Sequence, residues 1–159
     1  MQIFVTILEE TVDAAVEAIR ALTLDHDGIE VRTERFAGAG LTPLRNATSK
    51  PIILTHRGMA IDRETIVRGV DCGFEYVDVE WPPRYELPHR DRIVLSHHDY
   101  AAVPDIGALV PEMQAVGCAH VKIAATPRSF AENDWLLWDR LRLSGQTGVS
   151  VPHQTDGPM

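Results

Sequence analysis

Apolar positions along the chain follow two rhythms in alternation. Residues 2–8 (QIFVTIL) are β-branched and apolar, as a strand requires. Val12, Ala15, Val16, Ile19 and Leu22 then recur at helical spacing, behind Thr11 as a plausible N-cap. The same succession predicts strands over 28–36, 51–57, 74–81, 92–100 and 119–126, with helices over about 62–72, 104–116 and 129–143. The last helix opens on the capping box Ser129-Phe130-Ala131-Glu132. Residues 37–50, rich in Gly, Thr, Ser and Pro, have room for a short helix at most, and the prolines of 82–90 exclude a regular one.

Strands separated by helices imply right-handed crossovers and a parallel sheet. The predicted class is therefore α/β, either a TIM-barrel-like (β/α) fold, incomplete with about six parallel strands, or a doubly wound sheet. Residues 1–143 form the predicted domain, and residues 144–159, poor in apolar side chains, a loosely held tail.

Polar residues inside the strands fall on one parity. Glu30, Arg32 and Glu34 share a face of the second strand, opposite Ile29, Val31 and Thr33. Thr55 with Arg57, Asp78 with Glu80, Ser96 with His98, and Lys122 with Ala124 do the same in the next four. One solvated face per strand explains each case singly. Parallel sheets, however, are covered on both faces, so one interior cavity lined by Glu30, Arg32, Arg57, Glu80, His98 and Lys122 accounts for all of them together.

Lys122 stands out within this set. It lies in the apolar run His120-Val121-Lys122-Ile123-Ala124-Ala125, in a chain whose only other lysine is Lys50. A buried ammonium costs several kcal/mol unless it is paired or neutral. A neutral amine is a nucleophile for a ketone, whereas a snorkelling stem or a buried ion pair is the structural alternative. His98 suits a general acid/base beside it, or is a core histidine satisfied by hydrogen bonds. The neighbouring His97 does not make a metal pair with it, because adjacent strand residues face opposite ways.

Composition narrows the setting. With 159 residues, 45% hydrophobic and 24% charged, the chain has the makeup of one globular domain. A net charge of -8 and a pI near 5.3 argue against nucleic acid or an anionic membrane as partner. Cys72 and Cys118 are too few for a disulfide framework, and no apolar run is long enough to span a bilayer, which points to a cytoplasmic protein.

Several runs resemble the type I 3-dehydroquinate dehydratases. Ser96-His97-His98-Asp99-Tyr100 resembles the family's Ser-x-His-Asp-Phe, and His120-Val121-Lys122-Ile123-Ala124 its Lys-Ile-Ala strand, with Pro127 where a proline often follows. Glu30-Val31-Arg32-Thr33-Glu34 is similar to Glu-x-Arg-x-Asp, residues 51–57 to a third strand ending in Arg, and Tyr76-Val77-Asp78-Val79-Glu80 to Asp-x-Glu. The resemblance implies a Schiff-base lyase of the shikimate pathway acting on the small molecule 3-dehydroquinate without metal or organic cofactor. It implies Lys122 as the imine former and His98 as the proton shuttle. Thr6, Glu30, Arg32 and Arg57 would bind substrate, Glu30 would also orient His98, and Asp78 and Glu80 would support the site.

Two departures qualify it. The family's acidic Gly-Gly loop after the third strand is missing, since Arg57 runs through Gly58-Met59-Ala60 into the next helix. The family's seventh- and eighth-strand substrate residues have no counterpart either. Six parallel strands also leave edges to cover, which favours a homo-oligomer such as a dimer. A non-catalytic relative that binds a ligand or partner, and a Schiff-base lyase or aldolase with another substrate, are the competing readings.

Overall fold

Four parallel strands, β1 (Phe4–Ile7), β2 (Gly28–Arg32), β3 (Ile52–Thr55) and β4 (Tyr76–Glu80), alternate with helices α1 (Val12–Ala21), α2 (Thr42–Asn46) and α3 (Arg63–Asp71) in the first part of the chain. β5 (Ile93–Asp99), α4 (Ile106–Gln114), β6 (His120–Ala125) and β7 (Thr147–Ser150) follow. The computed structural model describes residues 3–36, 40–56, 61–129 and 147–150. The chain divides into two compact units, one of Met1–Val79 with Pro83–Ile93 and the other of Glu80–Pro82 with Val94–Met159.

In the first unit the strands lie in the order β1-β2-β3-β4, with Val5 opposite Ile29, Ile29 opposite Ile52, and Leu54 opposite Val77. Ile29, Ile52, Leu54 and Ile66 are fully buried, each contributing roughly 1.5–3 kcal/mol relative to exposure. β2 comes so close to the start of β3 that a Cβ on Gly28 would sit 2.8 Å from the Pro51 carbonyl oxygen, and only glycine fits. α1 begins where expected, because the Thr11 hydroxyl accepts from the Ala14 N–H at 3.2 Å.

The short helix anticipated in residues 37–50 is α2, and one arginine fixes it. Arg45 donates to Glu75 Oε2 at 2.9 Å and to the carbonyls of Thr48 and Lys50 at 2.6 and 2.7 Å, while Glu75 accepts the Ile52 N–H at 2.8 Å. A charge-assisted network thus joins the foot of β3 to the foot of β4 without an apolar helix.

Two of the anticipated strand ends are 3₁₀ turns instead. The strand anticipated over 28–36 stops at Arg32, and Thr33–Arg35 forms a 3₁₀ turn in which the Phe36 N–H returns to the Thr33 carbonyl at 3.0 Å. Thr33 donates its hydroxyl to the Thr55 carbonyl at 3.2 Å, which rewards the bend with a bond a straight strand would lack. Likewise Arg90–Arg92 is a 3₁₀ turn and β5 starts at Ile93.

In the second unit β5, β6 and β7 run parallel, with Ser96 opposite Lys122, His98 opposite Ala124, and Val121 opposite Thr147. The Trp81 N–H donates to the Ser96 carbonyl at 2.7 Å, and the Trp81–Pro82 peptide is cis. Ile106, Val110 and Met113 of α4 are fully buried. The six anticipated strands are present, and residues 147–150, inside the segment expected to be a loose tail, add a seventh. Pairing with β6 satisfies their backbone groups, a gain that apolar content does not advertise. The helix expected over 129–143, with its capping box, lies outside the described residues apart from Ser129.

Asp62 caps α3, accepting from the Thr65 N–H at 2.6 Å, and that bond, aided by the Thr65 side chain, holds its carboxyl below the ordinary 3.8. A depressed carboxylate contributes stability that is present above pH 3.8 and is lost as pH falls through its folded value. Asp62→Ala is expected to cost about 1 kcal/mol in urea unfolding at pH 7. The difference from the parent should shrink in parallel melts carried below pH 3.8; an equal gap at both pH values would assign the effect to something other than the charged cap.

Candidate active site

Strand alternation decides which side chains of the second unit meet. Ser96 and His98 project from one face of β5, and Lys122 and Ala124 from the matching face of β6. Lys122 stands opposite Ser96, so His98, two residues further along β5, is its diagonal neighbour on the adjacent strand. Ser96 is fully buried and Ala124 nearly so, giving the pair a closed floor. Lys122 itself is half-buried, between Val121 and Ile123, which turn into the core.

Glu80, the last residue of β4, grips His98 twice. Its Oε2 lies 2.7 Å from His98 Nδ1, and its Oε1 accepts the His98 backbone N–H at 3.0 Å. An ionised carboxylate only accepts, so Nδ1 carries a proton and the neutral ring keeps its lone pair on Nε2. The His98 side chain is 10% exposed and that of Glu80 45%, so water screens the pair and its consequence is orientation more than stability. The end of β4 delivers the Glu80 carboxylate to Nδ1.

The turn beyond His98 is also fixed. Asp99 Oδ1 accepts the N–H groups of Ala101 and Ala102 at 2.8 and 2.9 Å, bonds that hold this carboxyl below its usual range. The Asp99 carbonyl accepts the Thr126 N–H at 3.0 Å, tying the end of β5 to the end of β6. His97, on the opposite face, keeps its Nδ1 buried and without a hydrogen-bond partner. Among the described residues no three His, Cys, Asp or Glu side chains gather as a metal site would require.

The first unit holds a second polar group. Thr6 and Glu30 are register partners on β1 and β2, and the Thr6 hydroxyl donates to Glu30 Oε2 at 3.2 Å. Arg32, two residues on along the same face, donates to Glu34 Oε1 from Nε at 2.8 Å and from Nη2 at 2.6 Å. Asp78 is buried within β4 at 3% exposure. Arg57 lies outside the described residues.

A half-buried amine with a carboxylate-held imidazole on its diagonal can carry out covalent carbonyl chemistry with a proton transfer nearby. The type I 3-dehydroquinase family model matches residues 3–146. Among solved structures, the 3-dehydroquinate dehydratase of Enterococcus faecalis is similar at 21% identity and a TM-score of 0.75, over 98% of this chain and 80% of that one. The enzyme of Aquifex aeolicus VF5 matches at 19% identity and 0.74, over 96% and 79%. The type I enzyme of Clostridium difficile, solved with covalently modified comenic acid, matches at 19% and 0.72, over 94% and 74%. These likenesses establish the fold as TIM-barrel-like α/β, incomplete here.

Glu80→Ala is expected to release the ring. Nitrogen-15 spectra of the histidines at neutral pH should then show His98 as a mixture of Nδ1–H and Nε2–H tautomers instead of one. A ring that keeps a single tautomer in the variant would remove Glu80 from this role.

Proposed function

The chain belongs to the type I 3-dehydroquinase family, and on that premise we propose that it eliminates water from 3-dehydroquinate to give 3-dehydroshikimate, a step of the shikimate pathway, through an imine on Lys122. The observation that supports this most is the placement of Lys122 and a Glu80-held His98 as diagonal neighbours on β6 and β5.

Neutral Lys122 attacks the C3 ketone and water leaves, forming an iminium. His98 removes the C2 proton through Nε2, and the electron pair of that C–H bond moves into the iminium to give an enamine. The enamine expels the C1 hydroxyl, which takes the proton from His98 and departs as water. Hydrolysis of the resulting conjugated iminium releases the product and returns the amine. Glu80 stabilises the imidazolium that exists between the two proton transfers. We assign substrate binding to Thr6, Glu30, Arg32 and Arg57 and a supporting role to Asp78, with no metal or organic cofactor in the cycle.

Borohydride added with dehydroquinate is expected to leave a reduced adduct on Lys122, seen by peptide mass spectrometry and absent from Lys122→Met. His98→Gln should still trap while losing about 10²–10⁴ of the turnover followed by enone absorbance. No adduct at saturating substrate would sink the assignment.

The same reading carries a cytoplasmic homodimer. An acidic chain, two free cysteines and the lack of any described helix long and apolar enough to cross a membrane support the first part. The edge positions of β1 and β7 in the strand order of the described residues support the second. Light scattering should return twice the 17.7 kDa chain mass, and a monomer at micromolar concentration would refute the dimer.

A further inference from the structure

β1 stands at one end of the strand order, and among the described residues its ladder runs to β2 alone. The hydrogen bonds at its start show which backbone groups turn outward. The Ile3 carbonyl accepts the N–H groups of Asp27 and Gly28 at 2.8 and 3.3 Å, and the Ile3 N–H donates to Asp27 Oδ2 at 2.7 Å. Alternate residues of a strand turn their N–H and C=O groups to the same side, so Val5 and Ile7 face β2 as Ile3 does. Phe4, Thr6 and Leu8 face the other way.

A row of outward backbone groups is a template for another strand, and natural edges are blunted by charge, proline or a bulge. This edge has none of them. Residues 2–8, QIFVTIL, contain no charged residue and no proline, and the register to β2 is unbroken from Phe4 to Ile7. Ile3 and Leu8, at the two ends of the strand, are 49% and 54% exposed, although both are large and apolar.

We propose that β1 pairs antiparallel with β1 of a second copy, about a twofold axis at Thr6. Opposed residues of an antiparallel pair either both face the partner strand or both face away, which limits the registers to those that match Phe4, Thr6 and Leu8 among themselves. With the axis at Thr6, Thr6 meets Thr6 of the second copy, Phe4 meets its Leu8, and Val5 lies beside its Ile7. Threonine with threonine, aromatic with aliphatic, and two β-branched chains are all favourable cross-strand pairs. An axis at Val5 would carry Leu8 past the end of the second β1 and leave it in water. The occupant is a second copy because the edge complements itself, and a twofold contact of this kind closes at two chains.

The inference rests on the homodimer reading, and the experiment separates the two. Opposed residues that exchange both backbone bonds have Cα atoms about 5.5 Å apart, within the span of a disulfide. Thr6→Cys should therefore cross-link into a dimer with copper–phenanthroline as oxidant, seen in non-reducing electrophoresis and mapped to residue 6 by peptide mass spectrometry. The parent, which keeps Cys72 and Cys118, gives the background. Ile3→Cys is the control, because its two sulfurs would lie about 20 Å apart along the paired strands and should not cross-link above that background. Thr6 also donates to Glu30 Oε2 at 3.2 Å, so its variant is read by cross-linking and not by turnover. Leu8→Lys, at a side chain already exposed in the single chain, should keep the fold and weaken dimerisation by about tenfold or more in sedimentation.

A chain that is dimeric in light scattering, but whose Thr6→Cys form cross-links no better than Ile3→Cys, keeps the homodimer and overturns this interface. A Leu8→Lys protein that dimerises with parent affinity does the same. A parent chain that is monomeric at micromolar concentration overturns both. Hydrogen exchange needs no variant: in the parent dimer the Thr6 N–H, which faces away from β2, should be protected, and a rapidly exchanging Thr6 N–H overturns the interface even where a variant fails to fold.

Discussion

A parallel strand shows its side chains to two faces in strict alternation, and in an α/β fold neither face is free to meet bulk water. That constraint sorts the residues of this protein. Ile29 and Val31, Ile52 and Leu54, Val77 and Val79, Ile93 and Leu95, and Val121 and Ile123 occupy one parity and are all buried. The other parity is left for Glu30, Arg32, Glu80, His98 and Lys122. A one-residue slip in β2, β4, β5 or β6 would exchange the two sets, placing charges in the core, so the burial that stabilises the fold also fixes where the polar chemistry stands.

Within that arrangement the chemistry depends on short contacts between chain-distant residues. His98 gains its tautomer from Glu80, 18 residues earlier, and its relation to Lys122 from the β5–β6 register. A carboxylate that is 45% exposed is a weak stabiliser, yet its two oxygens, 2.7 Å from the ring Nδ1 and 3.0 Å from the backbone nitrogen of His98, fix the direction of the imidazole. The bent end of β2 follows a similar logic. Thr33 gives up strand geometry for a bond to the Thr55 carbonyl, and Arg32 beyond the pleat is clasped by Glu34.

Much of this was legible in the residue order. The two hydrophobic periods mark the β/α alternation, Thr11 and Asp62 are the caps their positions suggest, and strand parity separates polar from apolar side chains. The strands that carry His98 and Lys122 could be read as well, since a lysine and a histidine in apolar strands are costly and conspicuous. Less legible were features that depend on a partner far along the chain. Arg45 reaching Glu75 and two carbonyls leaves no periodic mark, and the short strand Thr147–Ser150 has too few apolar residues to be read without β6 beside it.

The sequence by itself therefore determined the class of fold and the face on which each strand residue lies, because these follow from local period and from the cost of burying charge. Only the tertiary structure decided that the Glu80 carboxylate lies against His98 Nδ1. The physical reason is that hydrogen bonds and ring contacts are settled by distances of about 3 to 6 Å. Such distances between strands are set by register and turn geometry, and no pattern of residues along a single strand contains them.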